Sequence, residues 1–304
     1  MKRYTYIFVI MLTIISCKTE VKKQDGKFQI VTTTTMITDM VKNIGGDKVE
    51  VQGLMGSGVD PHLYKASESV VSKFFNADVI IYSGLHLEGK LEDVFEKLRK
   101  QQKKTIAVSD AVDKSGLIGS EYFASNYDPH IWFHIDYWKQ ATQFVVDELK
   151  KLDPKNAESF EKNGQTYIEK LTVLAKEINE TIATLPVEKR ILVTAHDAFN
   201  YFGKLHNFEV VGLQGLSTAT EAGVKDVQKL ANFIIEKNVK AIFVESSVPK
   251  RTIEALQAAV KSKDHEVAIG GTLYSDALGD AGTVEGTYIG MYKYNVQTIV
   301  NALK

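Results

Sequence analysis

Four residues able to hold a metal, His62, His130, His196 and Asp276, are strung along most of this 304-residue chain. That spacing limits the folds open to it. The four close short stretches, Asp60-Pro61-His62, Asp128-Pro129-His130, Thr194-Ala195-His196 (with Asp197 next) and Tyr274-Ser275-Asp276. No local turn unites residues so far apart, so only a fold with two opposed halves can. Three imidazoles and one carboxylate fill a four-coordinate shell for a borderline divalent ion without any thiolate. Each stretch also has a plainer reading. Asp and Pro both favour turns, and a histidine or an aspartate after a strand is ordinary loop chemistry. The combination points to a metal where no single motif does.

The length suits two lobes better than one core. With 44% apolar and 25% charged residues, the composition is that of a soluble globular protein. A formal net charge of −1 gives no electrostatic ground for a nucleic-acid partner. The N-terminus follows a different logic. Lys2 and Arg3 precede an apolar run from Tyr4 to Ile15, too short to span a bilayer but suited to a signal peptide. The run ends at Ile14-Ile15-Ser16-Cys17, which resembles a bacterial lipobox, and Cys17 is the one cysteine of the chain. The expectation is a signal peptide over residues 1–16, then a lipidated tether over 17–27 that holds the body at a membrane surface through Cys17. The stretched tether reaches roughly 35 Å. Disulfides are excluded.

Strands and helices alternate through the rest, the pattern of parallel α/β lobes. Strands are expected at 28–33, 49–55, 79–82 and 105–108, then at 191–194, 209–213, 241–244 and 266–269. Residues 109–127 show no clear period. Between the halves lies the most regular element. Asp153 suits an N-cap, Pro154 a first helical position, and Pro186 closes the segment. Apolar residues recur at Tyr167, Leu171, Leu174, Ile178, Ile182 and Leu185. A helix of roughly 46 Å would form a stiff spine. The organisation expected is an N-terminal α/β lobe (28–152), a linking helix (153–186) and a C-terminal α/β lobe (187–304), both sheets being parallel.

In open parallel sheets ligands gather beyond the carboxyl ends of the strands. His62, His196 and Asp276 each follow a predicted strand, Asp276 past Gly270-Gly271 read as flexible. His130 is placed by its twin motif. Glu245, at the same edge, is a candidate to orient an imidazole, as are Asp60, Asp128 and Asp197. His206 and His265 read as surface residues. His86 lies near the crevice edge, and His134 is left outside the ligand set.

At this point the chain resembles the metal-type (cluster A-I, TroA/ZnuA-like) solute-binding lipoproteins of ABC transporters. The likeness rests on Gly58-Val59-Asp60-Pro61-His62-Leu63-Tyr64, Asp128-Pro129-His130-Ile131-Trp132-Phe133 and Val193-Thr194-Ala195-His196-Asp197-Ala198-Phe199. Gly212 to Thr218, Ile242 to Ser247 and Tyr274 to Gly279 extend it over nearly everything after the tether. The resemblance implies two α/β lobes joined by one long helix, with metal held between them by His62, His130, His196 and Asp276. It implies delivery to a membrane permease driven by a separate ATPase, and a monomer lipid-anchored outside the cytoplasm of a bacterium. In two places the chain departs from the family pattern. His134 stands where the family usually has Asp, and residues 109–127 contain no histidine, so the His-rich loop of zinc-specialised members is absent. Manganese-dedicated relatives typically carry Glu at the position of His196. A third imidazole favours zinc, with manganese as the alternative. The main rival function is an exported zinc hydrolase, whose metal would keep three protein ligands and an open water position. A siderophore or corrinoid receptor would leave three histidines unexplained. A surface adhesion role is compatible with metal binding.

Overall fold

The computed structural model describes residues 26–304. The expected signal peptide, Cys17 and nearly all of the tether lie outside the described residues. Strands β1 (Phe28–Thr32), β2 (Val49–Gly53), β3 (Val79–Tyr82) and β4 (Thr105–Ala107) form one sheet in the order β2-β1-β3-β4. Strands β5 (Ile191–His196), β6 (Glu209–Gln214), β7 (Ala241–Glu245) and β8 (Ala268–Leu273) form a second in the order β6-β5-β7-β8. Every neighbouring pair is parallel, and the second sheet repeats the strand order of the first. Parallel neighbours need crossovers. In the first half these are α1 (Thr35–Gly45), α2 (Glu68–Asn76) and α3 (Glu92–Lys100). In the second they are α6 (Asn200–His206), α7 (Val224–Glu236) and α8 (Arg251–Lys261). The Val-Ile-Ile-Tyr and Ala-Ile-Phe-Val-Glu runs of β3 and β7 are wholly buried, as strands covered on both faces must be.

Three helices join the halves: α4 (Ile135–Leu152), α5 (Ala157–Ala183) and α9 (Tyr288–Leu303). All the apolar positions expected to face inward on the spine, from Tyr167 to Leu185, are buried. Its start differs from the expectation. Pro154 begins a short 3₁₀ turn, Pro154–Asn156, and Asp153 makes no N-capping bond. Its carboxylate instead accepts from Asn156 Nδ2 at 2.7 Å. The α-helix proper has 27 residues, a length of about 40 Å. One apolar cluster runs from Ile30 through Trp132, Leu171 and Phe199 to Leu303 without a break between the halves. Two smaller clusters lie under the outer faces of the two sheets.

Other boundaries also moved. Gly270 and Gly271, expected as a flexible link, are strand residues of β8. A Cβ on Gly270 would come within 2.7 Å of both Ala302 Cβ and Phe243 Cε1, so the glycine lets α9 lie directly on the sheet. β5 continues to His196 and β7 to Glu245, which puts both side chains on strand ends rather than in loops. Residues 109–127 are 3₁₀ turns and an isolated antiparallel bridge, Gly119 to Tyr127. His206, read as a surface residue, is buried against the Phe202 ring, 4.7 Å between centroids, and burial pushes its pKa down to about 4. His265 is partly exposed.

Gly164 of α5 faces α4, and a Cβ there would sit 2.3 Å from Val146 Cγ2. Gly164→Ala should therefore destabilise the protein by about 1–3 kcal/mol, although alanine is the better helix former. Adding Val146→Ala should recover much of the loss. Thermal melting of the single and double variants checks this. A single variant as stable as its parent would contradict such close helix contact.

Candidate metal centre

His62 comes from the loop after β2. The glycine turn at Gly58, with φ +70°, delivers the chain to Asp60-Pro61, and Asp60 Oδ1 accepts the His62 backbone N–H at 2.9 Å. The second Asp-Pro-His uses the same device, with His130 N–H donating to Asp128 Oδ1 at 2.9 Å. The two motifs then diverge. Asp128 Oδ1 also lies 2.7 Å from His130 Nδ1, and its Oδ2 accepts from Asn200 Nδ2 at 3.1 Å. Asp60 Oδ2 instead accepts from Thr218 Oγ1 at 2.5 Å. At the end of β5, His196 donates its backbone N–H to Glu245 Oε1 at 2.9 Å, and its Nδ1 lies 2.6 Å from Glu245 Oε2. Asp276 follows β8 by three residues. Beside it, the Asn295 amide brackets Tyr274 at 2.9 and 2.7 Å, and Trp132 Nε1 donates to the Ser275 carbonyl at 3.0 Å.

One point in the crevice receives all four. His62, His130, His196 and Asp276 are buried, and one potential ligand atom from each lies within 4.8 Å of the others. Asp276 Oδ2 is 3.5 Å from His62 Nε2 and 3.3 Å from His196 Nε2, and Oδ1 is 3.7 Å from His130 Nε2. The three Nε2 atoms and both Asp276 oxygens are buried without a hydrogen-bond partner. A buried unpaired polar atom costs about 1–3 kcal/mol, so five in one spot call for a partner from outside the chain. With Nδ1 of His130 and of His196 held by a carboxylate, each ring presents Nε2 in a fixed direction. The donor set, three imidazole nitrogens and a carboxylate oxygen, fits a divalent transition metal.

The electrostatics agree with that reading. Burial pushes the His62 pKa down to about 3, against the pull of Asp276, so near neutral pH its lone pair is free. At His196 burial acts in the same direction, but the Glu245 and Asp276 carboxylates outweigh it and raise the pKa well above the usual range. Asp276 is held below the ordinary carboxylate range despite its burial, chiefly by His196. A cation held by His196 Nε2 and Asp276 would take the place of the proton that these carboxylates favour on His196.

Of the other sequence candidates, Glu245 orients His196 and Asp128 orients His130. Asp197 does neither, since its Oδ1 accepts from Gly212 N–H at 2.6 Å. His134 lies outside the cluster, stacked on Tyr137 at 3.9 Å. His86 reaches His62 only through Phe123, with centroids 6.1 and 6.4 Å from that ring. Sequence reasoning missed Asn200, Tyr201 and Thr218. Asn200 and Tyr201 follow the Thr-Ala-His-Asp stretch closely, whereas nothing near Thr218 marks its contact with residue 60.

The sequence model of the family described as zinc-uptake complex component A, periplasmic (ZnuA), matches residues 30–302. The manganese-binding lipoprotein MntA of Bacillus subtilis is 49% identical over 283 residues, 93% of this chain and 92% of that one. The metal ABC transporter substrate-binding lipoprotein SsaB of Streptococcus sanguinis is 32% identical, covering 100% of this chain and 99% of its own. The solved structure of the periplasmic zinc-binding protein TroA of Treponema pallidum superimposes with a TM-score of 0.89 at 48% identity, over 91% of this chain and 99% of that one.

Glu245→Gln leaves the shape of the site but removes the charge behind His196. Zinc affinity should fall about 10- to 100-fold, and the metal-free protein should also melt lower, because the amide can accept from only one of the two His196 N–H groups that the carboxylate holds. Competition titration against a chelator of known affinity measures it. An unchanged affinity would leave Glu245 no part in orienting the ring.

Proposed function

The chain belongs to the ZnuA family of metal-uptake components, and from that premise we propose that it captures one divalent transition metal between its lobes and delivers it to an ABC permease. The lobes are residues 28–152 and 187–304, joined by 153–186. The ligands are His62, His130, His196 and Asp276. The observation that carries this reading is the group of five buried polar atoms without partners, all turned towards one point. Relatives of nearly equal identity are named for manganese and for zinc. The donor set supports zinc. Three imidazoles favour zinc on intrinsic affinity, with manganese as the weaker alternative.

The protein works as a carrier, not as an enzyme. A hydrolytic zinc keeps an open position for water and substrate, whereas here four protein groups converge and all are buried. The family is one of transport components, and nothing favours the hydrolase. A permease with a separate ATPase is the partner. A lipid on Cys17 holds the monomer to a bacterial membrane, outside the cytoplasm.

Calorimetric titration should give one zinc ion per chain. At free zinc 100-fold above Kd the fold gains about 2.7 kcal/mol, read as a rise in melting temperature. Affinity should fall in acid, because the imidazoles must be unprotonated to bind. Asp276→Ala should weaken zinc binding sharply. If it binds as tightly as the parent, the four-ligand carrier is wrong.

Cys17→Ser should abolish lipid attachment and release the protein from washed membranes, or leave it unprocessed. Metal binding by the body should be unaffected. A variant that stays on the membrane after washing would refute the anchor.

A further inference from the structure

Three of the four clustered side chains are fixed to one frame. His196 ends β5 and Asp276 follows β8, both strands of the second sheet. His130 precedes that sheet in sequence, yet its segment is bound to the second half. Tyr201 OH donates to the Asp128 carbonyl at 3.0 Å, Tyr288 OH to that of Trp132 at 2.6 Å and Tyr292 OH to that of Phe133 at 2.8 Å. His62 differs. It rides on the loop between β2 and α2, and among the described residues that loop has two side-chain hydrogen bonds to the second half. One is Ser57 Oγ to Asp280 Oδ1. The other is Thr218 Oγ1 to Asp60 Oδ2, 2.5 Å. Because Asp60 Oδ1 also accepts the His62 N–H, one carboxylate joins this ligand's backbone to the far side of the crevice.

Thr218 belongs to segment 215–223, between β6 and α7. On one side of it is a cavity of about 450 Å³ with Phe123, Asp197 and Gln214 in its wall. On the other is a second of about 450 Å³ walled by Asp60, Leu63 and Gln214. Gln214 Oε1, between them, is buried without a partner. Besides Thr218, the segment is tied by Asp197 N–H to the Gly215 carbonyl at 3.2 Å and Gln214 Nε2 to the Thr220 carbonyl at 3.2 Å, by an exposed ion pair of Glu221 with Arg251 at 3.8 Å, and at its end by Gly223 N–H to Asp226 Oδ2 at 2.8 Å. It has space to move into on either side, and its tie to the first half is a charge-assisted hydrogen bond, stronger than a neutral one.

We propose that Thr218 and Asp60 form the clasp that closes the metal's path beside His62, with segment 215–223 as the gate. Thr218 then governs how fast metal exchanges more than how tightly it is held. This rests on the carrier reading and adds the route of exchange. A gate mostly closed slows uptake and release by the same factor, the fraction of time it stands open. Removing a hydrogen bond to a carboxylate should raise that fraction about tenfold or more.

The test is stopped-flow zinc exchange, with uptake by the metal-free protein and release from the loaded protein into excess chelator. Thr218→Val keeps the side chain's shape and removes its hydroxyl, and Thr218→Ala serves if valine disturbs folding as judged by melting. Both rates should rise about tenfold while affinity moves by less than about threefold. Thr218→Ser should behave as the parent, and Ser57→Ala should leave both rates within about twofold. Unchanged exchange in Thr218→Val overturns the clasp. So does faster release with unchanged uptake, which marks a merely structural contact, and so does equal acceleration by Ser57→Ala. A parent protein that binds no zinc would instead defeat the carrier reading itself, a result these rates distinguish.

Discussion

The aromatic packing between the two halves is the contact on which the rest of the molecule depends. Phe133 lies 4.3 Å from Phe199 and 6.2 Å from Tyr292, and Trp138 stacks on Tyr288 at 5.2 Å, all centroid to centroid. Such rings bury large apolar areas, and their polar tips are spent on backbone. Tyr288 and Tyr292 satisfy the Trp132 and Phe133 carbonyls, which belong to a 3₁₀ turn, Ile131–Phe133. The irregular segment after Asp128-Pro129-His130 is thus paid for by the opposite half. His130 is held in place through this packing, although its own sheet does not hold it.

Much of the centre was legible because parallel sheets place chemistry at strand ends. His62, His196, Asp276 and Glu245 could each be set at that edge from strand order alone. The twin Asp-Pro-His was informative for a reason that the plainer reading also contained. Both aspartates do make turns, through identical bonds to the following histidine N–H. What sequence could not reveal is the use of each aspartate's other contacts. Asp128 adds the His130 ring and Asn200, while Asp60 turns away to Thr218. Asn200 and Thr218 lie more than 70 positions from the aspartates they meet, which local pattern does not register.

The fold was read correctly at the level of lobes and spine, and less well at element ends. Gly270-Gly271 looked like a break because glycine weakens strands. In place, the missing Cβ at Gly270 makes room for Ala302 and Phe243. Asp153-Pro154 carried the marks of a helix start, but a 3₁₀ turn comes first, with the Asp153 carboxylate bonded to Asn156. His206 was read as a surface residue because it ends a helix between Lys204 and Asn207, whereas the Phe202 ring one turn back and Tyr292 from α9 cover it. At Gly270 a close tertiary contact overrode a sound local signal.

The unbroken apolar cluster from Ile30 to Leu303 has a consequence for what counts as a domain here. By topology the chain is two domains, each with its own four-stranded parallel sheet. By thermodynamics it is one, because neither half can lose its structure without exposing rings that the other half covers. The halves therefore share one apolar core, and neither is an interchangeable module. A stabilising contact anywhere along the spine is shared by both sheets.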